Sequence, residues 1–380
     1  MTTLGELAQS GVLEFGDGYR TKRFEHAASG FRILRAGDVR DGRVHPNGPD
    51  SVSLAYAGAI GNKSARLGDV VLTTKGTVGK TGIVGELTEP VVYSPQVCYF
   101  RCQQPEELDA GFLHQWLRSP RFIDQSGYLK DATDMAPYIS LRDLASIQIE
   151  LPKPPTQRAI AEVLGAVDDK IAVNSQVAHA TEALLAAQFA RLQADPDAQE
   201  VTAADLVELN PRCPTPSKGQ PVYVDMQKLP TRGSQIMDWG SRTAQGGARF
   251  VNGDTLVARI TPCLENRKVG FVDFLEPGET AIGSTEFIVL RAKPGFAKPL
   301  SFLLAVDEGF RSHAIQHMIG SSGRQRVGAA DLATFQLRLP VQSAEFASFG
   351  GKAEALFALL AAQRNESRHL ATLRDTLLPH

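Results

Sequence analysis

The stretch that decides the fold is TQRAIAEVLGAVDDKIAVNSQVAHATEALLAAQFARL, residues 156–192. Its apolar positions follow one another at alternating spacings of four and three residues, the pattern of a coiled-coil seam sustained over about five heptads. Thr156 is a plausible N-cap, and Asp195-Pro196 is a stop signal. We therefore predict a long helix over residues 156–193, with a seam formed by Ile160, Leu164, Val167, Ile171, Asn174, Ala178, Thr181, Leu185, Gln188 and Leu192.

The C-terminal stretch, residues 341–380, repeats this pattern, so we expect the two helices to pair with each other. Polar seam residues such as Asn174 would fix the register. The seam of the second helix is predicted at Phe346, Phe349, Ala353, Leu356, Leu360, Gln363, Ser367, Leu370, Arg374 and Leu377. A further apolar stripe on the first helix predicts packing on a globular domain or on a separate subunit; it consists of Val163, Val173, Val177 and Leu184.

The remaining sequence contains an internal repeat of two similar modules. The run Gly68-Asp-Val-Val-Leu72 reappears as Gly253-Asp-Thr-Leu-Val257, and other blocks follow in the same order at a nearly constant offset. We predict one module over residues 1–155, the first helix over 156–193, a second module over 194–340 and the second helix over 341–380.

Each module contains short β-type runs separated by turn residues, which predicts an α+β fold with two mixed α/β domains and short strands. A helix is expected from Ala110 to about Ser126 in the first module and from Pro299 to about Met318 in the second. A last strand then runs into Leu-Pro at 151 and 339.

The composition restricts the possible functions. The chain has 380 residues, with 40 Lys+Arg against 42 Asp+Glu, so a site for a polyanion must be local. Four cysteines without paired C-x-x-C spacing indicate a reducing compartment and no zinc site. We expect a cytoplasmic protein without a membrane span or a secretion signal.

Four motifs resemble catalytic or metal-binding motifs but lack residues that those motifs require. Gly76-Thr-Val-Gly-Lys-Thr81 lacks the first glycine of a phosphate-binding loop, which leaves a phosphate-contacting turn or a structural hairpin. The pair His313-x3-His317 lacks a third metal ligand. Asp168-Asp-Lys170 reads as a solvated helix flank, and Asn210-Pro211 does not continue as an adenine methyltransferase motif.

Local basic clusters stand out against the neutral total. The loop 321–326 carries two arginines and a glutamine, which have the chemistry of major-groove readout, although a solvated loop is the alternative. Arg32, Arg35, Arg40 and Arg43 form a further cluster. The candidate DNA-binding residues are Arg20, Lys22, Arg23, Lys75, Thr77, Lys80, Arg259, Arg267, Lys268, Arg324, Gln325 and Arg326.

Two blocks carry a resemblance to a known family. They are LGDVVLTTKGTVGKTGIV, residues 67–84, and LPKPPTQRAIAEVLGAVDDKI, residues 151–171. With the two modules and two helices, they resemble the specificity subunit of type I restriction-modification enzymes. The second module departs from the pattern, because residues 261–268 replace the Lys-Gly-x-x-Gly-Lys turn and Gln-Arg is missing after Pro340.

The resemblance implies a non-catalytic subunit that reads DNA. Each module would be a target recognition domain for one half of a bipartite site, and the helices would pair antiparallel as a ruler between the half-sites. Its partners would be double-stranded DNA, two methyltransferase subunits and restriction/translocase subunits. S-adenosylmethionine and ATP with Mg²⁺ are expected on those partners and no cofactor on this chain.

A helix of this length spans about 50 Å, against about 34 Å for one DNA turn. Shortening both helices by one heptad is therefore expected to change the tolerated half-site spacing. Two other interpretations remain: a coiled-coil scaffold without DNA readout, and a solitary enzyme with an unrecognised site.

Overall fold

The computed structural model describes residues 1–40, 42–131, 138–243, 246–321 and 323–378. Ser322 and the last two residues of the predicted C-terminal helix lie outside these ranges. The chain forms two compact units: unit 1 comprises Met1–Ala172 with His369–His380, and unit 2 comprises Val173–Arg368. Each long helix therefore contributes residues to both units.

Among its described residues, unit 1 contains a six-stranded, a four-stranded and a two-stranded sheet. Its strands are β1 Thr2–Thr3, β2 Leu13–Asp17, β3 His26–Ala27, β4 Phe31–Leu34, β5 Val39–Arg40, β6 Gly42–Val44, β7 Ser51–Val52, β8 Val70–Thr73, β9 Thr81–Ile83, β10 Val91–Tyr93, β11 Val97–Cys102 and β12 Gln148–Ile149. Its helices are α1 Leu4–Gln9, α2 Ala57–Ile60, α3 Ala110–Trp116, α4 Pro120–Asp131, α5 Leu141–Ser146 and the first part of α6 Pro154–Gln193.

The described part of unit 2 contains two four-stranded sheets and one two-stranded sheet. Its strands are β13 Gln199–Thr202, β14 Val207–Leu209, β15 Val222–Val224, β16 Gly240–Ser241, β17 Ala248–Phe250, β18 Asp254–Ala258, β19 Val269–Phe271, β20 Ala281–Gly283, β21 Phe287–Ala292 and β22 Gln336–Leu339. Its own helices are α7 Ala203–Leu206, α8 Leu300–Val306, α9 Glu308–Gln316 and α10 Ala329–Ala333, joined by most of α11 Ala344–Leu377.

The two units share one topology. The order β2-β11-β8-β9 in unit 1 recurs as β14-β21-β18-β19 in unit 2, with antiparallel pairing throughout. In each unit a second sheet contains a parallel pair, β4 with β10 and β15 with β20. The predicted repeat and the fold of two mixed α/β modules with mainly antiparallel strands are therefore confirmed.

The same buried ion pair lies in both units. The Nε and Nη2 of Arg101 donate to both carboxylate oxygens of Asp69 at 2.8 and 2.7 Å. In unit 2, Arg291 binds Asp254 in the same way at 2.6 and 2.7 Å. Asp69 and Asp254 are the aspartates of the repeated Gly-Asp run, and both are buried. The repeat thus preserves a charged contact inside each core.

The predicted helices of the modules are each broken once. The expected helix Ala110–Ser126 is two helices, α3 and α4, because Pro120 begins a new helix, where its missing N–H costs nothing. The expected helix Pro299–Met318 divides at Asp307, whose Oδ1 accepts the N–H of Phe310 at 2.9 Å as an N-cap.

Helix α6 begins at Pro154, two residues before the predicted Thr156, because proline is tolerated in the first turn of a helix. The side chain of Gln157 is buried beside it. Its Nε2 donates to the carbonyl oxygens of Glu107 and Pro152, both at 2.9 Å, and its Oε1 accepts the N–H of Asp109 at 3.0 Å. The start of α6 is thereby attached to the backbone of unit 1.

In unit 2 the long helices run antiparallel. Asn174, near the start of the α6 segment in unit 2, donates to Ser367 Oγ, near the end of the α11 segment, at 3.1 Å. Arg191, near the end of α6, donates to Glu345, at the start of α11, at 2.5 Å. Asn174 is buried and also donates to Glu366 Oε2 at 2.8 Å. This partnered polar contact fits the register role predicted for Asn174.

Some of the predicted seam residues are buried, and at other places a neighbouring residue is buried instead. Leu164, Asn174, Ala178, Leu185 and Leu192 are buried. Ile160, Val167 and Ile171 are half-buried, as are Leu356 and Leu370, whereas Leu360 is buried. Leu377 is 51% exposed and its neighbour Leu378 is buried, so the prediction for Leu377 is wrong by one residue.

Contacts between α6 and other parts of unit 2 also shift the buried position by one residue in two places. Glu182 is buried instead of Thr181, because it accepts the N–H and hydroxyl of Ser234 at 2.8 and 2.5 Å. Phe189 replaces Gln188 and stacks on Phe349 with ring centroids 6.3 Å apart. The helices here belong to the core of the unit, which adds a second buried face to the two-helix seam.

The further stripe on α6 is exposed. Val163 in unit 1 and Val173, Val177 and Leu184 in unit 2 are not covered by the units to which they belong. Of the two predicted partners, a globular domain or a separate subunit, the module of the same unit does not cover the stripe, and packing on a separate subunit stays a prediction. None of the helices among the described residues is long and apolar enough to cross a membrane.

Candidate nucleic-acid interface

The first basic loop of unit 1 follows strand β2. The side chains of Arg20, Lys22 and Arg23 are all exposed. The buried side chain of Glu25 stabilises the loop, because its carboxylate accepts hydrogen bonds from the hydroxyl of Tyr19 at 3.0 Å and from the backbone N–H of Lys22 at 2.8 Å. Within the described residues, Arg20 and Arg23 form no salt bridge. The loop is therefore ordered and leaves its cations available to a ligand.

The second predicted loop, residues 74–80, is the hairpin turn between β8 and β9. Gly76 and Gly79 have φ of 77° and 94°, and Thr73 Oγ1 accepts the N–H of Lys80 at 2.9 Å. A strand follows the turn where a nucleotide-binding loop needs a helix N-terminus. The geometry is that of the hairpin alternative, and a phosphate contact by this turn stays a prediction.

The three candidate side chains of this turn differ in their availability. Thr77 and Lys80 are exposed. The Nζ of Lys75 instead lies 3.8 Å from Asp17 Oδ2 and 4.9 Å from the centre of the Tyr138 ring. Because Asp17 directly precedes the first basic loop, Lys75 brings the two loops of unit 1 close together.

Several other arginines of unit 1 are neutralised by acids. Arg32 binds Glu89 through two bonds at 2.9 and 3.0 Å. Arg35 and Arg43 pair with Asp50 and Asp169. Of the cluster noted in the sequence, Arg40 is exposed without a salt bridge among the described residues.

In unit 2, Arg267 and Lys268 are engaged within the protein. Arg267 pairs with Glu308 at 2.6 Å, and Lys268 Nζ donates to the carbonyl oxygen of Met226 at 2.6 Å. The Nε of Arg259 is buried without a hydrogen-bond partner among the described residues. These three basic residues therefore have different environments, and a DNA contact by any of them stays a prediction.

The loop 319–326 of unit 2 closes as a hairpin. Ile319 and Arg326 exchange two backbone hydrogen bonds of 2.9 Å, and the carbonyl of Gln325 accepts the N–H of Thr261 at 3.0 Å. The side chain of Gln325 is half-buried. Arg324 is exposed at the turn and forms no salt bridge within the described part of the chain.

Arg326 differs from its neighbour Arg324. Its Nε lies 3.0 and 2.9 Å from the two carboxylate oxygens of Glu286, and its Nη2 donates to Oε1 at 2.6 Å. The hydrogen bond from Arg326 lowers the pKa of Glu286 below its ordinary value. Arg326 therefore supports the base of the hairpin, whereas Arg324 is its available cation. The sequence did not identify this difference, since Glu286 is distant along the chain.

Both imidazoles of the histidine pair contact backbone carbonyl oxygens. His313 Nε2 lies 2.9 Å from the carbonyl oxygen of Asp331, and His317 Nδ1 lies 2.8 Å from that of His313. In the described ranges, no group of three or more His, Cys, Asp and Glu side chains could hold a metal ion. Backbone carbonyls are thus the partners of both imidazoles.

Asp168 is not the solvated helix residue that the sequence suggested. It is largely buried and accepts bonds from Gln115 at 2.8 Å, Arg118 at 2.5 Å and Arg374 at 3.1 Å. The aspartate thus joins α6, the end of α3 and the last turns of α11 within unit 1. Its role there is structural.

The pKa of Asp168 leads to a prediction about stability. Burial alone raises that pKa, but the hydrogen bond and charge of Arg118, with the bonds from Gln115 and Arg374, lower it below its ordinary value. A carboxyl with a lowered folded-state pKa stabilises the fold above its unfolded pKa of about 4, and this contribution is lost as the pH falls through the folded-state pKa.

We expect Asp168→Asn to lower the free energy of unfolding by about 1–3 kcal/mol at pH 7. Urea unfolding of both proteins should show this difference shrinking below about pH 4. The exposed pair of Arg43 and Asp169 provides the control, because Asp169→Asn is expected to cost less than about 1 kcal/mol. A difference for Asp168→Asn that stays constant down to pH 2 would contradict the ion-pair account.

Comparisons with known proteins agree with the resemblance seen in the sequence. Residues 2–182 match the family model of the type I restriction modification DNA specificity domain. The EcoAI specificity subunit of Escherichia coli is 31% identical over 140 residues, 35% of this chain and 23% of that protein. The corresponding EcoEI subunit is 26% identical over 164 residues, 41% of this chain and 27% of that protein.

The MjaVIII specificity subunit of Methanocaldococcus jannaschii is 28% identical over 166 residues, 43% of this chain and 39% of that protein. The matched segments thus span less than half of each of these relatives. Among solved structures, the type I restriction-modification S subunit of M. genitalium superposes with a TM-score of 0.54 at 14% identity, covering 97% of this chain and 93% of that one. At this low identity, the structural similarity is evidence for a shared fold alone.

The resemblance drawn from the sequence is confirmed by these matches. Residues 2–182, just under half of the chain, thus match a type I restriction modification DNA specificity domain, and the chain is similar to type I specificity subunits.

Proposed function

We propose that this chain is the DNA-reading subunit of a type I restriction-modification complex and that each unit reads one half of a bipartite site. The observation that carries the proposal is that both copies of the repeated fold present an ordered loop with unpaired cations. These are Arg20 and Arg23 in unit 1 and Arg324 in unit 2. Cations of this kind bind phosphates and guanine edges.

The chain is proposed to act without catalysis of its own, as the DNA-binding component of a larger complex. Two methyltransferase subunits and restriction/translocase subunits would supply the chemistry, with S-adenosylmethionine and ATP with Mg²⁺ bound to them. The exposed stripe of Val173, Val177 and Leu184 supports docking of a separate subunit on α6, since contiguous exposed apolar residues are typical of interaction surfaces.

DNA binding tests the proposal directly. The chain is purified with its candidate methyltransferase, and its affinity for duplexes with and without the site found by methylome sequencing is measured at moderate salt. We expect selective binding of the duplex that carries the site. If the complex assembles but binds all duplexes equally, the scaffold interpretation replaces this one. Methylation by the isolated chain would favour the solitary enzyme.

The loop 319–326 provides a sharper test of the two-unit assignment. Arg324→Ala is expected to weaken binding by about 1–3 kcal/mol and to relax the half-site read by unit 2 alone, because a base contact is lost there. The unfolding free energy should stay unchanged, since Arg324 is exposed. Competition binding against duplexes randomised in either half-site measures the effect.

Arg326 serves as the comparison. Arg326→Ala and Glu286→Gln both remove the same ion pair, so we expect the two variants to show similar losses of hairpin stability and of DNA affinity. Affinity lost for Arg326→Ala but retained for Glu286→Gln would instead make Arg326 a direct DNA contact. Equal relaxation of both half-sites by Arg324→Ala would contradict the assignment of one half-site to each unit.

A further inference from the structure

Phe24 is a large apolar side chain that unit 1 leaves in solvent. It is 70% exposed, although it lies in an ordered turn, Arg23–Glu25. The ring of Tyr56 lies beside it with centroids 6.4 Å apart, and Leu54 on the same neighbouring turn is 59% exposed. We call Phe24, Leu54 and Tyr56 the Phe24 patch.

The backbone holds the Phe24 patch in place. Strand β3 pairs with β7, so that His26 lies opposite Val52, and the N–H of Ser53 donates to the carbonyl of Glu25 at 2.9 Å. The buried carboxylate of Glu25 fixes the preceding loop through Tyr19 and Lys22. Ordering such a surface before binding reduces the entropy lost when a ligand binds.

Positive charge lies beside the Phe24 patch. Lys22 Nζ lies 5.7 Å from the centre of the Phe24 ring, and Arg23 is its neighbour along the chain. Lys63 Nζ donates to the carbonyl of Gly18 at 3.2 Å, beside the loop that carries Arg20. The carboxylate of Glu25 is turned into the protein and engaged there. An apolar surface next to the cations of the basic loop complements a ligand with a negative exterior and apolar groups between its charges.

A second exposed apolar residue of unit 1 has the opposite surroundings. Leu67 is 72% exposed, and the surface concavity beside it is lined by the acid Glu86 and by Glu89, which is paired with Arg32. Acidic neighbours repel phosphates, so this position does not suit nucleic acid. Leu67 therefore matches Phe24 in exposure and differs from it in charge.

We propose that Phe24 contacts the C5-methyl group of a thymine in the half-site read by unit 1, while the neighbouring cations bind the flanking phosphates. The inference rests on the proposed function and assigns a readout residue to it. The thymine methyl is the apolar group that duplex DNA presents in its major groove, and phenylalanine is suited to contact it. Arginine and lysine at the rim of such a contact set its position on the backbone.

The test uses the full chain with its methyltransferase and duplexes that carry the mapped site. Each thymine of the unit 1 half-site is replaced in turn by deoxyuridine, which removes only the methyl group. We expect one replacement to weaken wild-type binding about fourfold, since one buried methyl-sized group contributes about 0.8 kcal/mol. Phe24→Ala should bind the thymine duplex about tenfold more weakly and should no longer distinguish thymine from deoxyuridine at that position.

Leu67→Ala is the matched control, expected to bind both duplexes like the wild-type protein. A wild-type complex without sequence-selective binding would refute the proposed function itself. If the wild-type complex binds selectively, two results overturn the inference alone. One is discrimination by Phe24→Ala that equals that of the wild type. The other is loss of methyltransferase binding by Phe24→Ala, which would make the Phe24 patch a protein contact.

Discussion

Replacing Arg101 by methionine is expected to lower the free energy of unfolding of unit 1 by about 3–5 kcal/mol. Asp69 is buried, and Arg101 supplies both of the guanidinium hydrogen bonds to its carboxylate. The hydroxyl of Tyr93 also donates to Asp69, at 2.6 Å, but it carries no compensating charge. Methionine fills most of the volume of arginine, so the loss measures an uncompensated buried carboxylate rather than a cavity.

Urea unfolding followed by circular dichroism measures this effect. Arg32→Met is the matched control, because Arg32 forms a similar two-bond pair with Glu89 on a partly exposed surface and is expected to contribute less than about 1 kcal/mol. The double variant Asp69→Asn with Arg101→Met should recover part of the loss, since it removes the charge left behind. A single Arg101→Met variant as stable as Arg32→Met would refute the importance of the buried pair.

Adding one heptad to each long helix is expected to abolish binding to the native bipartite site and to create binding to a longer one. The additions belong between Ala172 and Val173 in α6 and between Arg368 and His369 in α11, where the chain passes from one unit to the other. Seven residues add about 10 Å of helix, and this equals the rise of about three base pairs. No contact within either unit is removed.

Methylome sequencing of a host that carries the lengthened chain measures the outcome. We expect both half-site sequences to be retained and the spacer between them to grow by about three base pairs. Lengthening α6 alone is the control, because the mismatch disrupts the antiparallel pairing and should abolish methylation. Altered half-sites with an unchanged spacer would contradict the ruler role of the helices.

The sequence predicted the repeat, the α+β modules and both long helices, because these depend on local order. Heptad spacing indicated α6 to within two residues of its start, and the repeated Gly-Asp run indicated equivalent strands. The seam was less accurate where the helices contact a module. Glu182 and Phe189 are buried because Ser234 and Phe349 lie opposite them, and periodicity cannot reveal such partners.

In the candidate site, the sequence likewise could not show which charged side chains are paired. The run of basic residues around position 20 indicated a binding loop, and the phenylalanine among them could have suggested an aromatic contact. For the arginines, however, availability depends on acids that are distant in sequence. Arg43 is bound by Asp169, Arg267 by Glu308 and Arg326 by Glu286.

The sequence by itself therefore determined that one module occurs twice, that each copy is followed by a long amphipathic helix, and that the chain resembles a specificity subunit. Only the tertiary structure decided which cations are available to DNA. A charge is neutralised by whatever lies within a few ångströms of it, and folding brings those groups together from distant parts of the chain. Arg20, Arg23 and Arg324 remain available because folding places no acid against them within the described residues.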